Sequence, residues 1–275
     1  MNNDFDIITY KFKDPIKIIP ISDLHCGSIN FNLKRWKTFK QQLLSSDDTY
    51  IVIVGDLIDN QTKNSHSPFE ISVIDGIAMT PIEQKKWLVR ELTDLKDKIL
   101  CGVPGNHEAR KDNKATNQDI MYDVFCKLDI EEKYRPNMAF VKIQIGDRND
   151  CYRQTYTFGV THGSGGGTMT GSGVNKNEKF GYTIDGLDCL ITGHTHKPAI
   201  TKPMKLCIDS KNNKISFKPF YTITATSWLE YGGYALASQL APASFMSQEI
   251  TLTKEKEKGL KLILKWEKRK KYKIK

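Results

Sequence analysis

Five short segments concentrate the residue types that hold divalent cations: Asp23-Leu24-His25, Gly55-Asp56-Leu57-Ile58-Asp59, Gly105-Asn106-His107-Glu108, Thr161-His162-Gly163 and Gly193-His194-Thr195-His196. Five of the six histidines in the chain fall inside them. Each segment follows an apolar run that reads as a strand. In an α/β sheet, ligands bind in the loops beyond the strand ends. One such segment alone says little, since an isolated buried histidine is ordinarily explained by a hydrogen-bond partner. Their conjunction is harder to explain structurally, because burying two carboxylates and several imidazoles together without a metal is costly.

The candidate ligands are Asp23, His25, Asp56, Asn106, His162, His194 and His196. Carboxylate, imidazole and carboxamide oxygen make a mixed nitrogen and oxygen set without sulfur. That set suits manganese, iron, zinc and related divalent ions. Seven ligands are too many for one tetrahedral ion but fit two ions sharing a bridge, which would lie about 3.5–4 Å apart and serve an in-line displacement. Two divalent ions against the two aspartates leave a charge of about +2, which would attract a phosphate and acidify a bridging water.

The elements that must position these loops are legible as patterns. Pro15 to Ile21 reads as a strand, Leu33 to Leu44 as a helix, and Tyr50 to Val54 as a strand buried on both faces. Thr80, Pro81 and Glu83 mark the start of a second helix with a capping box. Ile99 to Val103 reads as a strand and Asn117 to Leu128 as a helix. This order predicts an α/β fold with a partly parallel sheet. In the second half, Ala139 to Ile145, Tyr152 to Val160, Leu187 to Thr192 and Ile215 to Thr224 read as strands. Glu249 to Thr253 and Leu260 to Trp266 read as a hairpin, the latter with one wet face. Two sheets packed face to face and covered by helices fit this pattern.

At 39% hydrophobic and 27% charged residues, the composition is that of an ordinary soluble globular protein. No stretch approaches the ~20 apolar residues of a membrane span, and the N-terminus lacks the apolar core of a secretory signal. The six cysteines, including Cys26 beside a candidate ligand, form no Cys-x-x-Cys pair. They read as reduced thiols in a cytoplasmic protein. The formal charge of +9 is uneven: residues 254–275 carry 11 basic and 3 acidic residues, and the remainder 30 and 29. We expect a catalytic domain over residues 1–253 and a basic C-terminal strand and tail over 254–275, belonging or appended to the same domain.

The ordered blocks Asp-x-His, Gly-Asp-x-x-Asp, Gly-Asn-His-Glu, a lone His and Gly-His-x-His resemble those of the calcineurin-like metallophosphoesterase superfamily. All five are intact between Asp23 and His196. The resemblance implies an αββα fold, a two-sheet β-sandwich flanked by helices. It implies that Asp23, His25 and His196 bind one metal, that Asn106, His162 and His194 bind the other, and that Asp56 bridges them. It implies that His107 stabilises the transition state or protonates the leaving oxygen, and that Asp59 orients a ligand from behind. Manganese is the leading expectation for the two ions, with iron, zinc, nickel and magnesium as alternatives.

Substrate choice is less legible. Arg110 follows Gly-Asn-His-Glu closely and is a candidate phosphate partner. His66 lies in the polar stretch after Asp59 and reads as a loop residue. Gly163 to Gly173 contains six further glycines or serines between its ends and reads as a flap or linker, with no helix start behind it. Trp228, Tyr231 and Tyr234 read as core before base-stacking residues. Lys268 to Lys275 could contact nucleic-acid phosphates or simply solvate the terminus. The leading expectation is a phosphodiesterase or nuclease acting on nucleic acid or nucleotides. The alternative is a phosphomonoesterase, although the segment after Asp59 lacks the Arg-Gly of phosphoprotein phosphatases. A silent scaffold is the third reading, and no ligand is missing to support it. The oligomeric state is open.

Overall fold

The computed structural model describes residues 5–61, 73–74, 77–109, 119–147, 150, 152–165, 169–242, 244, 246–255 and 260–266. In chain order the elements are β1 (Ile7–Phe12), β2 (Ile16–Ile21), α1 (Leu33–Leu44), β3 (Thr49–Ile53), β4 (Val73–Ile74), β5 (Ile77–Ala78), α2 (Pro81–Thr93), β6 (Ile99–Gly102), α3 (Ile120–Lys127), β7 (Ala139–Ile145), β8 (Gln154–Val160), α4 (Thr170–Tyr182), β9 (Cys189–Thr192), β10 (Ala199–Thr201), β11 (Met204–Asp209), β12 (Lys214–Pro219), β13 (Tyr221–Thr224), α5 (Gly233–Ala237), β14 (Met246–Leu252) and β15 (Leu260–Trp266).

Helix starts follow local chemistry. Asn32 caps α1 by accepting the Arg35 amide, and Asp119 caps α3 by accepting the Tyr122 amide. Thr80 and Glu83 close a reciprocal capping box at α2, with Pro81 at its first position. Such a cap is worth about 1 kcal/mol.

Two large sheets form. One has the order β15-β14-β2-β3-β6 and the other β1-β7-β8-β9-β13-β10. Between them Ile18, Val52 and Leu100 of the first meet Val141, Phe158, Ile191 and Ile223 of the second. On the outer face of the first sheet, Ile51, Ile53 and Ile99 pack under Trp36, Leu88, Leu92 and Phe125 from the three leading helices. Each fully buried side chain of this kind contributes roughly 1.5–3 kcal/mol. Helix α4 covers β9 and β13 on the far side. The fold is the two-sheet sandwich flanked by helices that the pattern predicts. Among the described residues no helix is long and apolar enough to cross a membrane.

Some local expectations need correcting. The run from Ile215 to Thr224 is not one strand. It divides at Phe220 into β12, which pairs with β11 alone, and β13, which joins the large sheet. Phe220 is buried where the chain turns inward, close against Gly181 of α4. Period-2 alternation does not say which sheet a residue joins. The glycine-rich run is not all loop either, since α4 starts at Thr170 and takes in Gly171 and Gly173. Low helix propensity hid this start. Gly173 is suited to its place, because a Cβ there would lie 3.0 Å from Thr195. Residues 166–168 lie outside the described residues. Strand β1, which no sequence pattern announces, pairs in parallel with β7.

Candidate metal centre

All five segments lie just beyond strand ends: Asp23 and His25 after β2, Asp56 after β3, Asn106 and His107 after β6, His162 after β8, and His194 and His196 after β9. Strands β2, β3 and β6 run parallel in one sheet, and β8 and β9 run parallel in the other. Each sheet therefore delivers its loops at one edge, and the two edges meet at the centre.

Five candidate ligands hold a left-handed backbone, with φ of 51° at Asp23, 48° at His25, 54° at Asp56, 70° at His194 and 57° at His196. For residues other than glycine this costs roughly 1–3 kcal/mol each and persists only where the surroundings impose it. At Asp23, His25, Asp56 and His194, hydrogen bonds between loops impose it. The amides of Asp23 and His25 donate to Gly55 O and Asp56 O, both at 3.0 Å. The His194 amide donates to Asp23 Oδ2 at 3.0 Å. The loops also approach too closely for a side chain at Gly105, where a Cβ would lie 2.1 Å from Asp56 Oδ1.

The first group of donors is Asp23, His25 and His196. His25 Nε2 and His196 Nε2 face each other at 3.2 Å. Asp23 Oδ1 lies 3.1 Å from His196 Nε2 and 3.9 Å from His25 Nε2. This oxygen is buried and has no hydrogen-bond partner, whereas Oδ2 accepts Ser22 Oγ at 2.5 Å.

The second group joins Asp56, His162 and His194, with Asn106 beside them. Asn106 Oδ1 lies 3.1 Å from His162 Nε2 and 2.8 Å from His194 Nδ1. His162 Nδ1 donates to Val54 O at 2.7 Å, which turns Nε2 toward the centre. Asp56 stands between the groups: its Oδ2 is 3.1 Å from His162 Nε2 and 4.0 Å from Nε2 of both His25 and His107.

His107 falls inside a third group, with His25 and Asp56. Its Nδ1 donates to the backbone carbonyl of Asp59 at 2.8 Å. The Asp59 carboxylate stands farther off, 3.6 Å from His107 Nδ1 and 3.7 Å from His25 Nδ1. Arg110 and His66 lie outside the described residues, as do the tail residues 268–275. Trp228 is buried in the core against Trp36 and Phe39. Its amide and the Ser227 hydroxyl both donate to Asp23 O, at 3.1 Å each. Tyr231 is exposed, and its hydroxyl donates to Leu240 O. The side chain of Tyr234 lies outside the description. Cys26 is buried, and burial pushes its thiol well above the usual range, so it is inert filler.

Three supporting residues went unrecognised in the sequence. The Glu108 carboxylate accepts the amides of Asp56, Leu57, Ile58 and Gly105 at 2.6–3.2 Å. Asn60 Nδ2 donates to His107 O at 2.7 Å, and its own amide donates to Gln84 Oε1 at 2.9 Å. Glu108 was visible as part of a motif, but nothing in its spacing announces four backbone partners. Gln84 carries no local signal.

Electrostatics follow this geometry. Burial opposes the charges on Asp23 and Asp56, yet His196 beside the first and His162 beside the second hold both carboxyls far below the usual range. Burial pushes His25 down to about 3, reinforced by His107. Burial opposes the His162 charge as well, but hydrogen bonding and attraction from Asp56 outweigh it and raise that imidazole to about 10. A proton on His162 thus stands where a cation would serve. The donors fit divalent metal: an orphaned buried carboxylate oxygen, facing imidazole nitrogens and no sulfur.

The family model for calcineurin-like phosphoesterases matches residues 16–198. No curated protein matches the chain. Among solved structures, it is similar to the calcineurin-like phosphoesterase YfkN of Bacillus subtilis at 14% identity, covering 92% of this chain and 88% of that one, with a TM-score of 0.41. It is similar to a conserved predicted phosphoesterase of Streptococcus pneumoniae TIGR4 at 12% identity, covering 91% and 98%, with a TM-score of 0.37. It is also similar to Vps29 of Chaetomium thermophilum at 12% identity, covering 91% and 94%, with a TM-score of 0.35.

Proposed function

This chain belongs to the calcineurin-like phosphoesterase family, and from that premise we propose that it is a metal-dependent phosphodiesterase acting on nucleic acid or nucleotides. The observation that carries the reading is the position of Asp56 Oδ2, which faces imidazole nitrogens from both donor groups. Asp23, His25 and His196 would hold one divalent ion, and Asn106, His162 and His194 the second, with Asp56 shared. Manganese leads as the ion, and iron, zinc, nickel and magnesium accept the same donors. Two such ions, when bound, supply Lewis acidity toward the phosphoryl group and a nucleophile drawn from water.

The chain's own groups then position and move protons. His107, whose Nδ1–H is held by the Asp59 carbonyl, would as an imidazolium carry a second proton on Nε2 and pass that one to a leaving oxygen. Asn60 supports the diester reading, since it follows Asp59 where phosphoprotein phosphatases carry Arg-Gly, and its side-chain amide is bound to His107 O. The basic segment Lys268 to Lys275 would add phosphate contacts along a polyanion.

The test is hydrolysis of bis-p-nitrophenyl phosphate, p-nitrophenyl phosphate and single- and double-stranded oligonucleotides by the manganese-loaded full chain. The diester and the oligonucleotides should be cleaved faster. Turnover of the monoester alone would reject the diester reading. Absence of all turnover in protein that binds metal would favour a silent scaffold.

A further inference from the structure

Strands β11 and β12 form an arm that pairs with neither large sheet. Its register sets Met204 opposite Pro219, Leu206 opposite Phe217 and Ile208 opposite Ile215 on one face. The pairs Lys205–Lys218, Cys207–Ser216 and Asp209–Lys214 occupy the other face. A sheet with one wet side ordinarily turns its apolar face inward. This arm leaves its apolar face out, and on the other face only Lys205 and Cys207 are partly buried. Met204, Leu206, Ile208, Ile215 and Phe217 are 53–77% exposed. Lys205 is half-buried, with its ammonium bound to Ile184 O and set over the Phe220 ring. A lone hairpin is marginally stable in water, and one with its apolar face wet is less so.

We propose that this face is the contact surface of a homodimer, in which the arms of two copies pack apolar face to apolar face. Area favours a second copy. The five side chains present on the order of 600 Å² per copy, near the upper end for a monomer's largest patch and most of the ~800 Å² per partner in a stable interface. Charge favours it too. The chain carries +9, almost all of it in residues 254–275, so two copies associate most readily through an uncharged face away from that segment. None of the six residues on this face is ionisable, and the arm's lysines in register lie on the other side. A polyanion would choose the lysine face instead.

The placement leaves the metal centre open. Strand β13 runs parallel to β9, and Tyr221, where it begins, sits opposite Cys189 at the start of β9. The arm therefore joins the body at the far end of these strands from His194 and His196.

Size-exclusion chromatography with light scattering, and sedimentation velocity, on the full chain at tens of micromolar should find a dimer. Ile208→Glu and Phe217→Glu, both at exposed positions, should each weaken it at least tenfold while diester hydrolysis and metal content stay unchanged. Amide exchange over residues 204–219 should slow as wild-type concentration rises. A monomeric wild type, a dimer indifferent to both substitutions, or exchange independent of concentration would each overturn the proposal. The oligomeric-state, metal-content and exchange readouts stand whether or not the chain hydrolyses diesters.

Discussion

The Glu108 carboxylate accepts the backbone amide of Asp56 at 2.9 Å, while Asp56 Oδ1 accepts the backbone amide of His107 at 2.8 Å. The loops after β3 and β6 thus hold each other, each using a side chain to fix the other's main chain. This reciprocity keeps Asp56 in its left-handed conformation and sets His107 beside it.

Glu108→Ala should leave four buried amides without an acceptor. Each unsatisfied amide costs about 1–3 kcal/mol, less where water enters, so a destabilisation on the order of 3–5 kcal/mol is expected. Urea unfolding of the metal-free protein measures it. A loss below ~1 kcal/mol would show that the carboxylate is not what holds the loops.

Asp56→Ala should lower activity more than ~100-fold and weaken metal binding, because both donor groups lose the oxygen they share. Metal content and turnover should be measured on the same sample. A variant that retained both ions and wild-type rate would contradict the bridging role.

His107→Ala should slow turnover by roughly 10²–10⁴ with both metals retained, as expected for loss of a proton donor. Loss of metal from this variant would instead make His107 a ligand, a role its closeness to His25 and Asp56 leaves to be tested.

Metal affinity should rise with pH up to about 10, where the metal-free His162 loses its proton. The raised imidazole lends the metal-free fold stability that is complete below the unfolded value of about 6.5. That stability is lost as pH rises through about 10. Binding must displace this proton, so titration calorimetry at pH 8 in buffers of different ionisation enthalpy should reveal proton release. Identical heats in all buffers would argue against a protonated His162.

Gly105→Ala should shift Asp56, because the added Cβ would overlap its Oδ1. Stability and metal affinity should both fall, the latter roughly 10–100-fold. Unchanged affinity would mean that the loop yields without moving the ligand.

The sequence by itself determined the donor types, their order and their place at strand ends. It also determined the α/β alternation, because burial imprints a period on each strand and helix and because carboxamide, carboxylate and imidazole have few uses together. Tertiary structure alone decided the rest. Glu108 acts through main-chain amides from another loop, and Asn60 and Gln84 act as its neighbours require. No local pattern encodes such partners. The left-handed φ at Asp23, His25, Asp56 and His194 is held by hydrogen bonds between distant loops. The fate of Ile215 to Thr224 shows the same limit: alternation reports that side chains take opposite faces, while contacts around Phe220 decide where one sheet is left and another joined.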